Sequence, residues 1–393
     1  MDLIASSGFL LLSLPTLLGG LYLLLLTLLS ARPKPPPRPR LQLNFDVVVP
    51  AHNEAGGIAR TIASLQRLDW PRDRFRILVV ADNCTDATAT IAREAGAQVL
   101  ERHDDHRRGK GHALAFAFEA SRRDALADAV VVVDADTGVS PNLLEAFAAR
   151  LEHGARAVQA HYGVRNPQAS WRTRLITIAK GAFHIVRSRG RERLGLSCGL
   201  RGNGWCVTHG LLHQVPYRAY SLTEDLEYSI DLGLAGIRVH YADEAHADAD
   251  MEAGGTAATS QRQRWELGRL ALARRYAMPL LAAGLRRPSR LCLDLAVDLL
   301  VPPLSYLVLS ATLLLAIAAA AAAWQPAWAF WLAWPVVATV AIALYVLRGW
   351  QLSGTGARGL LDLATAPAFV GWKLLAMLRG PRTPGWVRTQ RHP

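Results

Sequence analysis

Acidic residues are scarce in this chain. Its 393 residues carry 32 Asp+Glu against 44 Lys+Arg, a formal net charge of +12, and only 19% of residues are charged. Soluble domains carry about 25% charge, so apolar sequence must be concentrated somewhere, and disorder is excluded. Cysteine is scarcer still, with only Cys84, Cys198, Cys206 and Cys292. Four are too few for a secreted disulfide scaffold, and the lack of a CxxC pair or Cys/His cluster argues against a zinc site. No internal repeat, RNP signature or zinc finger is present. The basic balance therefore calls for a partner other than nucleic acid.

Charge is missing altogether from two long stretches. Residues 3–31 hold none, and the leucine-rich run 9–30 is long enough for the roughly 20 residues that cross a bilayer. A cleaved signal peptide would want a basic start and a small-x-small site. Here Asp2 precedes the run and Arg32-Pro-Lys34-Pro-Pro-Pro-Arg38-Pro-Arg40 follows it. The expectation is an anchor helix (1–31) with its N-terminus outside, then a stiff cytoplasmic linker (32–43). The second uncharged run, 299–347, is too long for one span and is interrupted at Trp324-Gln325-Pro326. It predicts a transmembrane hairpin, about 299–323 and 327–347. Arg286, Arg287, Arg290 and Arg348 hold both its ends in the cytoplasm. A last apolar stretch, 360–377, contains Asp362, Pro367 and Lys373 and reads as interfacial within a basic-tailed segment 348–393. The whole describes a multi-pass inner (cytoplasmic) membrane protein with three spans. Excess cations at 32–40, 262–275, 286–290 and 379–391 flank these stretches, which suits anionic lipid headgroups.

Between the apolar runs, residues 44–258 alternate β-branched runs with helical patterns. Strands are expected at 45–49, 76–80, 97–100 and 129–133, and helices at 58–68, 86–95, 111–121 and 142–151. This order implies a mainly parallel α/β sheet whose ligands lie beyond the carboxyl ends of the strands. Those ends carry polar residues: Pro50-Ala-His-Asn53-Glu54, Asp82-Asn83-Cys84-Thr85-Asp86 and Asp134-Ala-Asp136, with the basic Arg107-Arg108-Gly109-Lys110-Gly111 between them. Carboxylates at three neighbouring strand mouths repel one another without a cation. The set suits a nucleoside diphosphate bound through Mg2+ or Mn2+. Taken singly, the pieces have plainer readings: Asp82 or Asp86 as a helix cap, Gly109-Lys110-Gly111 as a turn.

Further on, Ser221-Leu-Thr223-Glu224-Asp225 fits a capping box between Ser221 and Glu224, with Leu226, Ile230 and Leu234 as the buried stripe. The box leaves Asp225 unexplained, and a carboxylate at that position can take a proton from a hydroxyl. Gln261-x-x-Arg264-Trp265 opens a basic amphipathic stretch, part of an interfacial segment 259–298, with the three residues on one helix face.

This ordered series resembles the membrane-bound family 2 (GT-A fold) inverting glycosyltransferases, the group of cellulose, hyaluronan and poly-N-acetylglucosamine synthases. The Thr-Glu-Asp and Gln-x-x-Arg-Trp pair is its most diagnostic part. The resemblance implies that Pro50, Glu54, Asp82, Lys110 and Asp134 bind the nucleotide, and that Asp136 and Asp134 hold the metal. It implies Asp225, with Glu224 beside it, as the catalytic base. Gln261, Arg264 and Trp265 would close over the diphosphate and acceptor. Trp205, in Gly202-Asn203-Gly204-Trp205-Cys206, stands where cellulose synthases carry a Cys-Gly element and is expected near the acceptor. The implied activity is inverting transfer from a UDP-sugar to a growing exopolysaccharide. The low span count keeps a glycolipid acceptor (polyprenyl phosphate, diacylglycerol or ceramide) as the alternative, and an inactive scaffold or nucleotide sensor as a third. With three spans, polymer export would need a partner protein or a second copy.

Overall fold

The computed structural model describes residues 3–251, 256–366 and 371. The chain divides into two compact units. Among the described residues, one holds 32–167, 191–251 and 256–296, the other 3–31, 168–190, 297–366 and 371.

The first unit is built on a single eight-stranded sheet. Its strands are β1 Phe45–Ala51, β2 Phe75–Asp82, β3 Gln98–Arg102, β4 Ala129–Val132, β5 Thr137–Val139, β6 Ala157–Val164, β7 Trp205–Thr208 and β8 Val239–Ala249. They lie in the order β3-β2-β1-β4-β7-β6-β8-β5. The first four are mutually parallel, β7 runs against both β4 and β6, and β5 runs against β8. The four strands and four helices expected from the pattern are present, each end within a few residues: the helices are Ile58–Leu65, Thr88–Glu94, Lys110–Asp124 and Leu143–Glu152. Strands β1, β2 and β4 are apolar on both faces because both faces are covered. Val47, Val49, Ile77, Val79 and Val131 point into one core, and Val48, Val80, Val130 and Val132 into the other. Because β2, β1 and β4 are adjacent and parallel, Asp82, Glu54 and Asp134 come to the same edge of the sheet.

The opposite end of these strands is closed by a buried charge. Asp46 is 1% exposed within β1 and sits directly opposite Arg76 of β2. Arg76 donates to both its carboxylate oxygens at 2.8 and 2.7 Å, and Ser121 Oγ donates at 2.5 Å. Arg76 also reaches Asp124 at 2.9 Å, tying the helix Lys110–Asp124 to the strands. The β-strand pattern had given no warning of a charge at an interior position.

Among the described residues, three helices are long and apolar enough to cross a membrane, over Ser7–Leu28, Leu304–Trp324 and Pro326–Ser353. The hairpin begins later than expected, because 299 and 300 finish the preceding helix Arg290–Leu300. Leu23, Leu307, Ala311, Ile342 and Tyr345 form the core of this second unit. Unexpectedly, residues 168–190 belong to it although they interrupt the sheet domain in sequence. Their helix Trp171–Lys180 and the π-helical turn Gly181–Val186 supply Ala182 and Val186 to the same core. Small residues let the helices approach closely: a Cβ on Gly181 would lie 2.7 Å from the Gly349 carbonyl oxygen, and one on Gly190 2.7 Å from that of Leu26. Arg187 is buried there, donating to Tyr345 Oη and pairing with Asp298, each at 2.9 Å. The helix Gly356–Leu363 follows, and the rest of the expected interfacial stretch and basic tail lies outside the described residues.

Removing Arg76 leaves Asp46 buried without its cation, a change that typically costs ~3 kcal/mol or more. Asp46→Ala is expected to lower the melting temperature of the detergent-purified protein by several degrees, and Arg76→Ala similarly. A melting temperature unchanged by both would show that the pair carries no stability.

Candidate active site

Two loops at the strand mouths are fixed by asparagines in a left-handed conformation, which Asn tolerates better than most residues. Asn53, with φ 56°, accepts from the backbone N–H groups of Thr85 and Asp86 at 2.7 and 3.3 Å. Asn83, with φ 51°, accepts from Asp104 N at 2.8 Å. The backbone N–H of Glu54 donates to Thr88 Oγ1 at 2.8 Å, and Asp86 accepts from Thr88 N at 3.0 Å. The cap position of the helix Thr88–Glu94 is Ala87, so neither Asp82 nor Asp86 is its cap. Arg102 pairs with Asp82 Oδ1 at 2.6 Å, and Asn83 Nδ2 donates to the same oxygen at 3.2 Å. Pro50 lies inside β1 opposite Val80, one residue from the strand end.

The Gly109-Lys110-Gly111 turn has a physical reason for each residue. Gly109 adopts φ 122° ahead of the helix that Lys110 opens. At Gly111 a Cβ would overlap the Ala219 carbonyl oxygen, so glycine alone permits this contact. His112 then stacks on Tyr220, ring centroids 4.2 Å apart. Lys110 Nζ is delivered to the centre of the site. It lies 2.5 Å from Asp134 Oδ1 and 3.5 Å from Glu224 Oε1, and donates to the Gly202 carbonyl oxygen at 2.5 Å.

Glu224 and Asp225 form the first turn of the helix Glu224–Leu234. The expected capping box does not form. Thr223 is the cap position, and the backbone N–H groups of Tyr220 and Ser221 instead donate to Glu227 Oε2 at 3.0 and 2.9 Å. The buried side of this helix is Tyr228, Ile230 and Leu232, while Leu234 is exposed. Gly202 and Asp225 are neighbours: a Cβ on the glycine would sit 3.5 Å from Asp225 Oδ2. Three carboxylates thus face one lysine. Burial works to lower Lys110, but Asp134 and Glu224 outweigh it and hold the ammonium above its ordinary range. Burial, opposed by Lys110 and reinforced by Asp225, pushes Glu224 up to about 7 from an ordinary 4.5. Burial raises Asp225 as well, against the pull of Lys110 and Arg201.

The Asp134-Ala-Asp136 turn rests on a residue that sequence reasoning passed over. Asn203, fully buried, accepts from Asp134 N at 3.0 Å and donates to Thr137 Oγ1 at 2.7 Å. Thr137 Oγ1 donates in turn to Asp136 Oδ1 at 3.2 Å. Gln159, also fully buried, donates to the Asn203 carbonyl oxygen at 2.7 Å and accepts from Arg201 N at 2.8 Å. The signal available was Asn203 between Gly202 and Gly204, both at positive φ, but it had been attributed to the acceptor. Trp205 needs correction: it is 1% exposed and packs edge-on against Phe118 in the core, so it cannot line an acceptor site. Of the Gln-x-x-Arg-Trp set, the backbone lies on the helix Thr256–Arg286, and the side chains of Gln261 and Arg264 lie outside the described residues. Trp265 is 43% exposed, and Gly268 three residues on leaves room for Thr223, beside Glu224.

Residues 40–268, more than half the chain, match the Glycosyltransferase like family 2. The chain belongs to that family. It is 26% identical over 233 residues to the Probable glycosyltransferase YdaM of Bacillus subtilis, covering 56% of this chain and 54% of that one. It is 28% identical over 234 residues to the Beta-monoglucosyldiacylglycerol synthase of a Synechocystis strain, covering 56% and 47%. The chain thus spans about half the length of these relatives. Among solved structures, the mannosyltransferase PcManGT of Pyrobaculum calidifontis, determined with GDP-Man and Mn2+, superposes with a TM-score of 0.52 at 20% identity, over 86% of this chain and 99% of that one. The fold is the GT-A fold.

A carboxyl group whose folded value lies above its unfolded one stabilises the fold fully only below the unfolded value. That contribution disappears as pH rises through the folded value. Glu224 therefore lowers stability progressively between about pH 4.5 and 7. The melting temperature of metal-free protein is expected to fall across this window, and Glu224→Gln to flatten the slope. A slope that the substitution leaves unchanged would contradict the assignment.

Proposed function

We propose that this glycosyltransferase moves a sugar, with inversion, from a UDP-sugar to a hydroxyl or phosphate of a membrane lipid, at the cytoplasmic face of an inner membrane. The observation that carries the transfer chemistry is Lys110 bridging Asp134 and Glu224 with Asp225 on the same helical turn. The surplus of carboxylates over lysine in that cluster, and its all-oxygen character, fit a hard divalent cation at Asp134 and Asp136. When bound, Mg2+ or Mn2+ supplies charge to the departing diphosphate.

The chain's own residues do the remainder. Glu54 and Asp82 hold the uridine. With Arg102 and Asn83 both on Oδ1, Asp82 presents Oδ2 to the uracil ring. Pro50 shapes the same pocket. Lys110 holds the nucleotide, exchanging carboxylate contacts for phosphate oxygens. Asp225 takes the proton from the acceptor hydroxyl, and the raised position of both helix carboxyls suits proton transfer near neutral pH. Gln261, Arg264 and Trp265 close over the diphosphate and acceptor, from an interfacial segment 259–298.

A lipid acceptor is favoured over a growing exopolysaccharide for two reasons. Three candidate spans are found among the described residues, and a lipid acceptor needs no export path. Relatives that share this domain include enzymes named for a glucosylated diacylglycerol. The basic linker 32–43 places the anchor's N-terminus outside and the domain 44–258 in the cytoplasm.

Mass spectrometry of lipids after incubating membranes with a panel of UDP-sugars tests the acceptor. One sugar on one lipid is expected, whereas a ladder of repeating mass would mean a polymer. A positioned base contributes about 10²–10⁴ in rate, so Asp225→Asn should reduce turnover by that factor while UDP binding stays. The acid limb of kcat/KM should fall above the ordinary carboxylate range. Near-normal turnover in Asp225→Asn sinks the base assignment.

A further inference from the structure

A second group of metal-ligating side chains lies on β6 and β8, with Asp248 opposite Gly138, two residues on from Asp136. His161, His246 and Asp248 each offer one ligand atom, and all three atoms fall within 4.8 Å of one another. Their convergence is built into the sheet. β6 and β8 pair in parallel from Ala157↔Val239 to Ala160↔Ala242, then the register jumps so that His161 faces His246. The jump leaves Asp243, Glu244 and Ala245 as a bulge, a device that re-aims side chains in a strand. This bulge is firmly held. Arg150 donates to both Glu244 oxygens at 2.5 and 2.9 Å, and Asn142 Nδ2 to the Glu244 carbonyl oxygen at 3.1 Å. Ser140 exchanges two 2.9 Å bonds with the backbone of His246.

The strand alternation beyond the bulge puts His246 and Asp248 on one face, and register puts His161 on it too. Both residues that flank Asp248 across the ladder are glycines, Gly138 on β5 and Gly163 on β6. The second is essential to the geometry. A Cβ on Gly163 would overlap Asp248 Oδ1 and lie 3.1 Å from His161 Nε2. The missing side chain thus leaves space where a carboxylate oxygen and an imidazole nitrogen converge. Tyr241 Oη lies 3.3 Å from His161 Nδ1, so a hydrogen bond to that nitrogen orients the ring and turns Nε2 toward Asp248. Metal-bound histidines are commonly held this way through their other nitrogen. The two imidazoles meet edge to face, centroids 4.8 Å apart.

We propose that His161, His246 and Asp248 form a second metal site, for a transition-metal dication such as Zn2+ or Co2+. Two imidazoles and a carboxylate select such ions over Mg2+, whereas the oxygen-only pair Asp134 and Asp136 suits the harder one. Three protein ligands leave coordination positions for water or for an oxygen of a bound molecule. The expectation against zinc drawn from the cysteines does not bear on this set, which contains none.

The test uses the full chain, purified in detergent, freed of any affinity tag and stripped with a chelator. Titration with Co2+ should give visible ligand-field absorption of a nitrogen-ligated ion, and dialysis against Zn2+ should leave one equivalent by elemental analysis. Asp136→Asn should retain both signals. His246→Gln and Asp248→Asn should each weaken binding by at least about 100-fold, and Tyr241→Phe by about 10-fold, the effect typical of losing a bond to a ligating histidine. Because a misfolded variant would also lose metal, each is checked for a melting temperature equal to that of metal-free wild type. Zn2+ should raise that temperature in the wild type alone among these ligand variants. The site is refuted if wild type gives no nitrogen-ligated Co2+ spectrum, or if bound Zn2+ is unchanged in folded His246→Gln.

Discussion

One lysine holds the active centre together. Lys110 touches Asp134, Glu224 and the Gly202 carbonyl oxygen, groups that come from a strand end, a helix start and a loop far apart in sequence. Buried carboxylates of like charge repel strongly unless a cation sits among them. The ammonium is what lets these elements meet, and its helix is set by the two glycines beside it. Gly109 supplies a backbone conformation other residues resist, and Gly111 lets the helix start press against residue 219. The surplus negative charge that remains suits a hard dication.

Around that cluster a buried polar frame sets position. Asn203 clamps the Asp134-x-Asp136 turn, and Gln159 clamps Asn203 and Arg201. Each has its polar side-chain atoms engaged, Asn203 with the backbone of Asp134 and with Thr137 Oγ1, Gln159 with backbone groups alone, which is the condition for burying an amide without a large penalty. Such a frame is stiff, and stiffness is what orientation-dependent chemistry requires.

Much of this was legible in the sequence because it follows from period and order. β-branched runs gave the parallel strands, and uncharged runs gave the three apolar helices. Carboxylates placed just after strands marked the mouth of the sheet. What could not be read depends on contacts between distant residues. Trp205 looked like an exposed site residue, yet strand alternation in β7 turns it into the core. Asp46 interrupts an apolar strand, and only the register with β2 reveals Arg76 opposite. Residues 168–190 lack a long apolar run, so composition left them with the sheet, while glycine contacts carry them to the apolar helices. Likewise His246 and Asp248 sit two apart, a spacing that means something only once a bulge brings His161 level with them.

The distribution of charge along the sheet separates stability from function. At one end of β1, Asp46 accepts from Arg76 and Ser121 and is fully paired. Its burial is compensated, so that end can be rigid. At the other end, Glu224 and Asp225 share the pull of a single lysine, and burial pushes both upward. A site that were equally well paired would hold its carboxylates ionised and too weakly basic to take up a proton. Incomplete compensation beside a rigid frame is therefore a requirement of proton transfer, and the cost in stability is carried by the closed end of the same strands.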